Sequence, residues 1–181
     1  VLKRVIHTTA DFDFVRNLLF SPNAVRLGRE ALRRGVTVVT DTAMAAAGIG
    51  KPAAARWGVS VVCRMADPDV RDEALRRGVT RAVVSMERAV AETPDAIFAI
   101  GNAPTALLEV IRLIREEGAR PALVIGMPVG FVSAAESKEE LMGINEVPWI
   151  AIKGRKGGST LVVAAIHALL AVAEAAHKRA A

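Results

Sequence analysis

Tyrosine is absent, aromatic residues make up only 4% of the chain, and a single cysteine, Cys63, stands among 181 residues. So few rings leave little with which to stack the bases of a single strand, and the basic residues are scattered, so no nucleic-acid partner is expected. One cysteine cannot close an internal disulfide, and no Cys/His cluster has zinc-ligand spacing. Both point to a reducing cytoplasm and to no bound metal. With 14 glycines, 8 prolines and no run of one charge, disordered and fibrous classes drop out. The most apolar stretch, 161–176, is interrupted by His167 and Glu174. It falls short of a membrane span and reads as a buried helix. No signal-peptide pattern is visible, so a soluble protein with no membrane partner is expected.

What the chain does have is a 52% hydrophobic share, enough for one substantial core, and a single domain over 1–181 is expected. Its 24 Lys+Arg against 19 Asp+Glu leave a net +5, which favours an acidic partner without naming it. Five short apolar, β-branched runs recur at 36–40, 59–63, 96–100, 122–126 and 149–153. They are continuous rather than alternating, as in strands covered on both faces, and helical patterns separate most of them. Ser21-Pro22 opens one helix that Gly35 stops; Asn102 caps a second, with Pro104 in its first turn, that ends by Gly118. Asp67-Pro68 opens a third, and Thr80 a fourth. Strands joined by helices imply right-handed crossovers and one parallel sheet, an α/β three-layer sandwich with the flavodoxin-like order 2-1-3-4-5. Ligands of such sheets collect at the carboxyl ends of the strands. That rule selects Asp41-Thr42, Arg64, Gly101-Asn102, residues 126–130 and residues 153–159.

The heptapeptide ALRRGVT occurs at 31–37 and again at 74–80. Each copy supplies a helix end with positive charge at its negative pole and a glycine stop, and the flanking sequences diverge, so it reads as a reused helix ending rather than a structural repeat. Residues 154–160 follow the fifth strand and open a helix, so backbone N–H groups and two cations could face an anion together; an ordinary solvated turn fits the same residues. The loop is no Walker A motif, because Gly158 sits where Lys is required. Residues 48–53 have the spacing of a dinucleotide fingerprint but lie well after the first strand, and Pro52 removes a needed N–H; they read as a loop. Residues 126–132 suit close backbone approach to a large flat ligand, or a tight turn over the core. Glu136 reads as a helix N-terminal charge. His7 precedes a helix expected to begin near Asp11, where it could exchange a proton near neutral pH or simply bond backbone. His167 reads as a packing or interface residue, and His177 as part of a polar terminal turn.

Four segments together resemble the precorrin-8X methylmutase family, also called precorrin isomerase: RVIHTT at 4–9, IGNAPTAL at 100–107, MPVGFVSAAESK at 127–138 and KGRKGGS at 153–159. The resemblance runs from about Arg4 into the C-terminal helix. It implies a flavodoxin-like homodimer and an isomerase of cobalamin biosynthesis that moves a methyl group between neighbouring ring-C carbons. Precorrin-8 would give hydrogenobyrinate and cobalt-precorrin-8 would give cobyrinate, with no organic cofactor. It maps the family's catalytic histidine onto His7 and implies substrate contacts from Thr8, Asn102, Thr105, Arg155, Lys156, Gly157, Gly158 and Ser159. The family pattern carries a further segment ahead of the histidine motif, and contacts from it are not carried over. A polycarboxylate tetrapyrrole suits a basic chain with an apolar turn at 127–132 and a cationic rim. The competing reading is a non-catalytic tetrapyrrole- or anion-binding module on the same fold, with His7 structural.

Overall fold

The computed structural model describes the backbone of residues 1–50 and 54–180, with side chains through His177. In chain order the elements are α1 (Leu2–Thr9), α2 (Phe14–Asn17), β1 (Leu18–Phe20), α3 (Ala24–Arg33), β2 (Val38–Thr40), α4 (Ala43–Gly48) and β3 (Val61–Val62). There follow α5 (Pro68–Arg77), α6 (Arg81–Glu92), β4 (Ile97–Ile100), α7 (Pro104–Glu116), β5 (Leu123–Gly126), α8 (Ala134–Met142), β6 (Trp149–Ile152) and α9 (Ser159–Ala180).

The strands form one sheet in the order β3-β2-β4-β5-β6-β1. The five expected strands are parallel to one another and lie in the expected order. The five-stranded expectation needs one correction: β1 adds a sixth strand, antiparallel to β6, with Leu18 opposite Ile152 and Phe20 opposite Ile150. Three residues are too few to carry a periodic signal, and only Leu18 of them is buried, so the sequence pattern passes over it.

Every residue of β2, β4, β5 and β6 is buried, because helices cover both faces. Successive side chains of β4 enter different cores. Ile97 and Ala99 join Leu32, Ile125, Ile166 and Leu169 beneath α3 and α9, while Phe98 and Ile100 join Met86, Leu107, Ile111 and Leu141 beneath α6, α7 and α8. By length and a mean hydropathy of 1.8, Ser159–His177 is long and apolar enough to cross a membrane, which corrects the sequence reading on that point. Packing assigns it instead to the core: it lies against α1, α3, α4 and the sheet.

Both heptapeptide copies do end helices on a left-handed glycine, Gly35 with φ 75° and Gly78 with φ 66°. In each, the following valine N–H reaches back to the copy's first alanine carbonyl, Val36 to Ala31 and Val79 to Ala74. The chains then part, one into β2 and the other into α6. His7 requires another correction, since it lies within α1 rather than ahead of a helix. Ser21 uses its hydroxyl to accept the Trp149 N–H at 2.8 Å, while its carbonyl accepts the Ala24 N–H. Of the 48–53 glycine segment, Gly48 ends α4 and Gly50 has φ 77°; residues 51–53 lie outside the described residues.

Candidate active site

The carboxyl ends of β2, β4, β5 and β6 meet at one edge of the sheet, and a buried carboxylate organises the first two. Asp41, which follows β2 and is 1% exposed, accepts N–H bonds from Gly101 at 3.0 Å and from Asn102 and Ala103 at 2.7 Å. It thereby caps α7, whose own N-cap residue, Ala103, has no side chain to do so. The sequence reading gave this cap to Asn102. Asn102 instead donates its backbone N–H to Asp41 and leaves its side chain exposed. The next residue, Thr42, accepts the Ala45 N–H to cap α4 and shares a hydroxyl hydrogen bond of 2.9 Å with Ser159, the first residue of α9.

The loop from Lys153 to Ser159 is packed backbone against backbone. The Gly158 N–H donates to the Met127 carbonyl at 2.9 Å, and the Gly130 N–H to the Arg155 carbonyl at 3.4 Å. A Cβ on Gly101 would sit 2.8 Å from the Ser159 Cα, and one on Gly157 would press on the Met127 and Pro128 carbonyl oxygens. Only glycine permits those approaches.

The cations Arg155 and Lys156 of this loop are not alike. Lys156 is no free rim charge: its ammonium binds Asp11 at 2.5 Å and Asp13 at 2.7 Å and stands 5.9 Å from the Phe14 ring centre. These carboxylates raise the Lys156 pKa above the ordinary lysine value, and Lys156 in turn holds Asp11 below the usual carboxylate range. Arg155 is exposed, its guanidinium 6.0 Å from the ring centre of Phe131, which is itself 86% exposed. Beneath the loop lies a residue that sequence reasoning missed. Lys138, on α8, is wholly buried and donates to the Lys156 carbonyl at 2.7 Å. A lysine four residues into a helix looks like a solvent-facing charge, so nothing local announced its burial.

Thr8 and Ser159 are brought together. With Arg4, Met44, Val163 and His167 they line a cleft of about 250 Å³ between α1, α4 and α9. Arg4 and Thr8 share a face of α1 at four-residue spacing, and Thr8 donates its hydroxyl hydrogen to the Arg4 carbonyl. His7 stands next to Thr8 on the exposed side of the helix, outside the cleft lining. A second hollow of about 420 Å³, bounded by Arg56, Trp57 and Leu170, continues the first across Arg4 and His167. His167 is tied down through Nε2, which donates to the Ile49 carbonyl at 2.6 Å, and His177 packs edge-on against Trp57. Thr105 is not part of this group: it lies in the first turn of α7, in a groove with Val83 and Arg112. Among the described residues no cluster of His, Cys, Asp and Glu could hold a metal.

A doubly wound, mostly parallel sheet with tethered loops and a cleft at its carboxyl edge defines a flavodoxin-like α/β protein. A family model described as precorrin-8X methylmutase matches residues 1–172. The cobalt-precorrin-8 methylmutase of Priestia megaterium is 51% identical over 174 residues, 96% of this chain and 77% of that protein. That of Methanocaldococcus jannaschii is 42% identical over 96% of this chain and 79% of its own length. A crystal structure of precorrin-8x methyl mutase from Thermus thermophilus superposes with a TM-score of 0.88 at 43% identity, covering 97% of this chain and 85% of that one. The chain belongs to the precorrin-8X methylmutase family and is an isomerase.

Proposed function

We propose that the chain rearranges precorrin-8 or cobalt-precorrin-8 into hydrogenobyrinate or cobyrinate, moving one methyl group between neighbouring ring-C carbons. The observation that carries this reading is the strand-end edge, where an apolar cleft opens beside a glycine loop and the N-terminus of α9. A large ring rimmed with carboxylates needs that combination of apolar surface and N–H donors.

One carbon–carbon bond breaks and another forms within the same molecule, so no methyl donor, electron carrier or organic cofactor enters the balance. The protein has only to hold the ring and to move a proton. The proton is assigned to His7, which stands exposed beside Thr8 next to the cleft: its ring passes one to the macrocycle as the methyl migrates and recovers it afterwards. Thr8, Arg155, Gly157 and Ser159 are assigned to substrate carboxylates, and Asn102 to the same rim; Gly158, whose N–H is taken by the Met127 carbonyl, shapes the loop instead of binding the substrate. Lys156 acts mainly as a brace between the loop and Asp11 and Asp13.

A homodimer is part of this reading, though the apolar face of α9 is largely spent in its own core. Phe12, Phe131 and Val132, on loops, and Val15, on α2, are all exposed on segments that reach Arg155 and Lys156. A second copy laid on this surface would take those apolar side chains out of water. A cytoplasmic location accords with the lone, unpaired Cys63. The test is incubation with both substrate forms while the absorbance spectrum is followed. Conversion of either supports the reading, whereas tight binding with an unchanged spectrum favours the non-catalytic tetrapyrrole-binding module.

A further inference from the structure

Lys138 is 0% exposed and ranks among the largest side chains wholly removed from solvent. Burying an ammonium is unfavourable unless hydrogen bonds and charges replace its water. Among the described residues its one hydrogen bond goes to the Lys156 carbonyl, 2.7 Å away, and no carboxylate pairs with it. Burial without a counter-charge lowers its pKa to about 8. A methionine would fill the same volume without that penalty, so packing does not account for a lysine here.

What the ammonium holds does account for it. In a trans peptide the carbonyl and the following N–H point in opposite directions. Drawing the Lys156 carbonyl inward to Lys138 therefore turns the Gly157 N–H outward, and among the described residues that N–H has no acceptor. No side chain fits on the inner side of this glycine, because a Cβ there would lie 2.3 Å from the Met127 carbonyl oxygen and 2.5 Å from that of Pro128, so the backbone of the two segments is closely packed. We infer that Lys138 is a positioning residue: it fixes the plane of the 156–157 peptide so that the Gly157 N–H is presented to a carboxylate of the substrate. The inference rests on the proposed assignment of this loop to the substrate.

Two experiments separate the failure of one from the failure of the other. In the wild-type protein, saturation with hydrogenobyrinate is expected to move the Gly157 amide proton downfield, as a new charge-assisted hydrogen bond does. In Lys138→Met, hydrogen exchange at the neighbouring Gly158 amide, which donates to the Met127 carbonyl and shares the loop that Lys138 holds, is expected to accelerate. KM should rise about tenfold with kcat little changed, the scale of one hydrogen bond to a charged group, while the melting temperature holds or rises. Unaltered exchange in the variant overturns the positioning role. Accelerated exchange with an unaltered KM overturns the assignment of the loop to substrate. If the variant does not fold, the wild-type titration decides: a Gly157 resonance unmoved by saturating hydrogenobyrinate overturns the inference.

Discussion

Two regions of the molecule are rich in charge and use it in opposite ways. On the outer face of α5, α6 and α7 the charges bind one another. Arg88 pairs with Asp69 and Glu73, Arg77 with Glu73 and Glu87, and Arg112 with Glu109, Glu116 and Glu117. At the carboxyl edge of the sheet, two charges that no water reaches bind backbone instead, Asp41 holding three N–H groups and Lys138 one carbonyl. The first arrangement neutralises side chains that, apart from the buried Glu109, are open to solvent, where pairing gains little over hydration. The second fixes the main chain, which is what a binding edge is made of. A residue count cannot tell these uses apart.

The largest effect expected is at His7, which belongs to neither group. His7→Asn keeps hydrogen-bonding capacity but cannot exchange a proton near pH 7, so turnover should fall by about 10²–10⁴ with product affinity retained. Wild-type turnover in the variant would remove the proton-transfer role. Next in size is Asp41→Ala, which strands three N–H groups at once. It should cost roughly 2–4 kcal/mol in urea unfolding. A loss under about 1 kcal/mol would mean that water replaces the carboxylate and that the edge is less rigid than its bonds suggest.

The third prediction concerns pH. Lys138 titrates near 8 when folded, against 10.5 as its ordinary value. Between those values the unfolded chain binds more protons, so wild-type stability should gain a component that rises from about pH 8 to about 10.5; below 8 both states are protonated and the slope vanishes. Lys138→Met should lack that rise, and parallel curves for the two proteins would show the group to be better solvated than its surroundings imply. Smallest of all is Arg88→Ala. Its partners Asp69 and Glu73 are held below the usual carboxylate range chiefly by this arginine, yet the groups stand in water. The urea midpoint should move by no more than the scatter of repeat measurements, and added salt should erase even that. An effect as large as that of Asp41→Ala would abolish the distinction between the regions.

Much of the architecture was legible because each parallel strand is an unbroken apolar run and each helix carries its own stop. The parallel sheet followed from the crossover rule, the order of its five strands came from the flavodoxin-like arrangement taken as its type, and residues 31–37 and 74–80 were rightly separated from a true repeat. The site was legible only in outline. The strand-end rule pointed to Asp41, but its three bonds reach residues 60 and more positions away, and no local pattern reports them. For the same reason Lys156 read as a free cation, since Asp11 and Asp13 lie far from it along the chain. Thr105 shares a motif with Asn102, yet the helix between them turns it into a different groove. Long-range polar contacts are what periodicity and capping signals leave out.

The short strand β1 also imposes an order on assembly. Residues 18–20 pair with residues 150–152, and Lys153 donates its N–H to the Asn17 carbonyl beside them. The segment carrying His7 leaves the ribosome long before its anchor has been made. Contacts across such a separation form late, after the loop-closure entropy has been met by the rest of the sheet. A nascent chain that still holds residues 149–180 inside the ribosome therefore keeps the histidine helix undocked, and the chain becomes competent only once β6 and α9, which pack on β1 and α1, have both emerged.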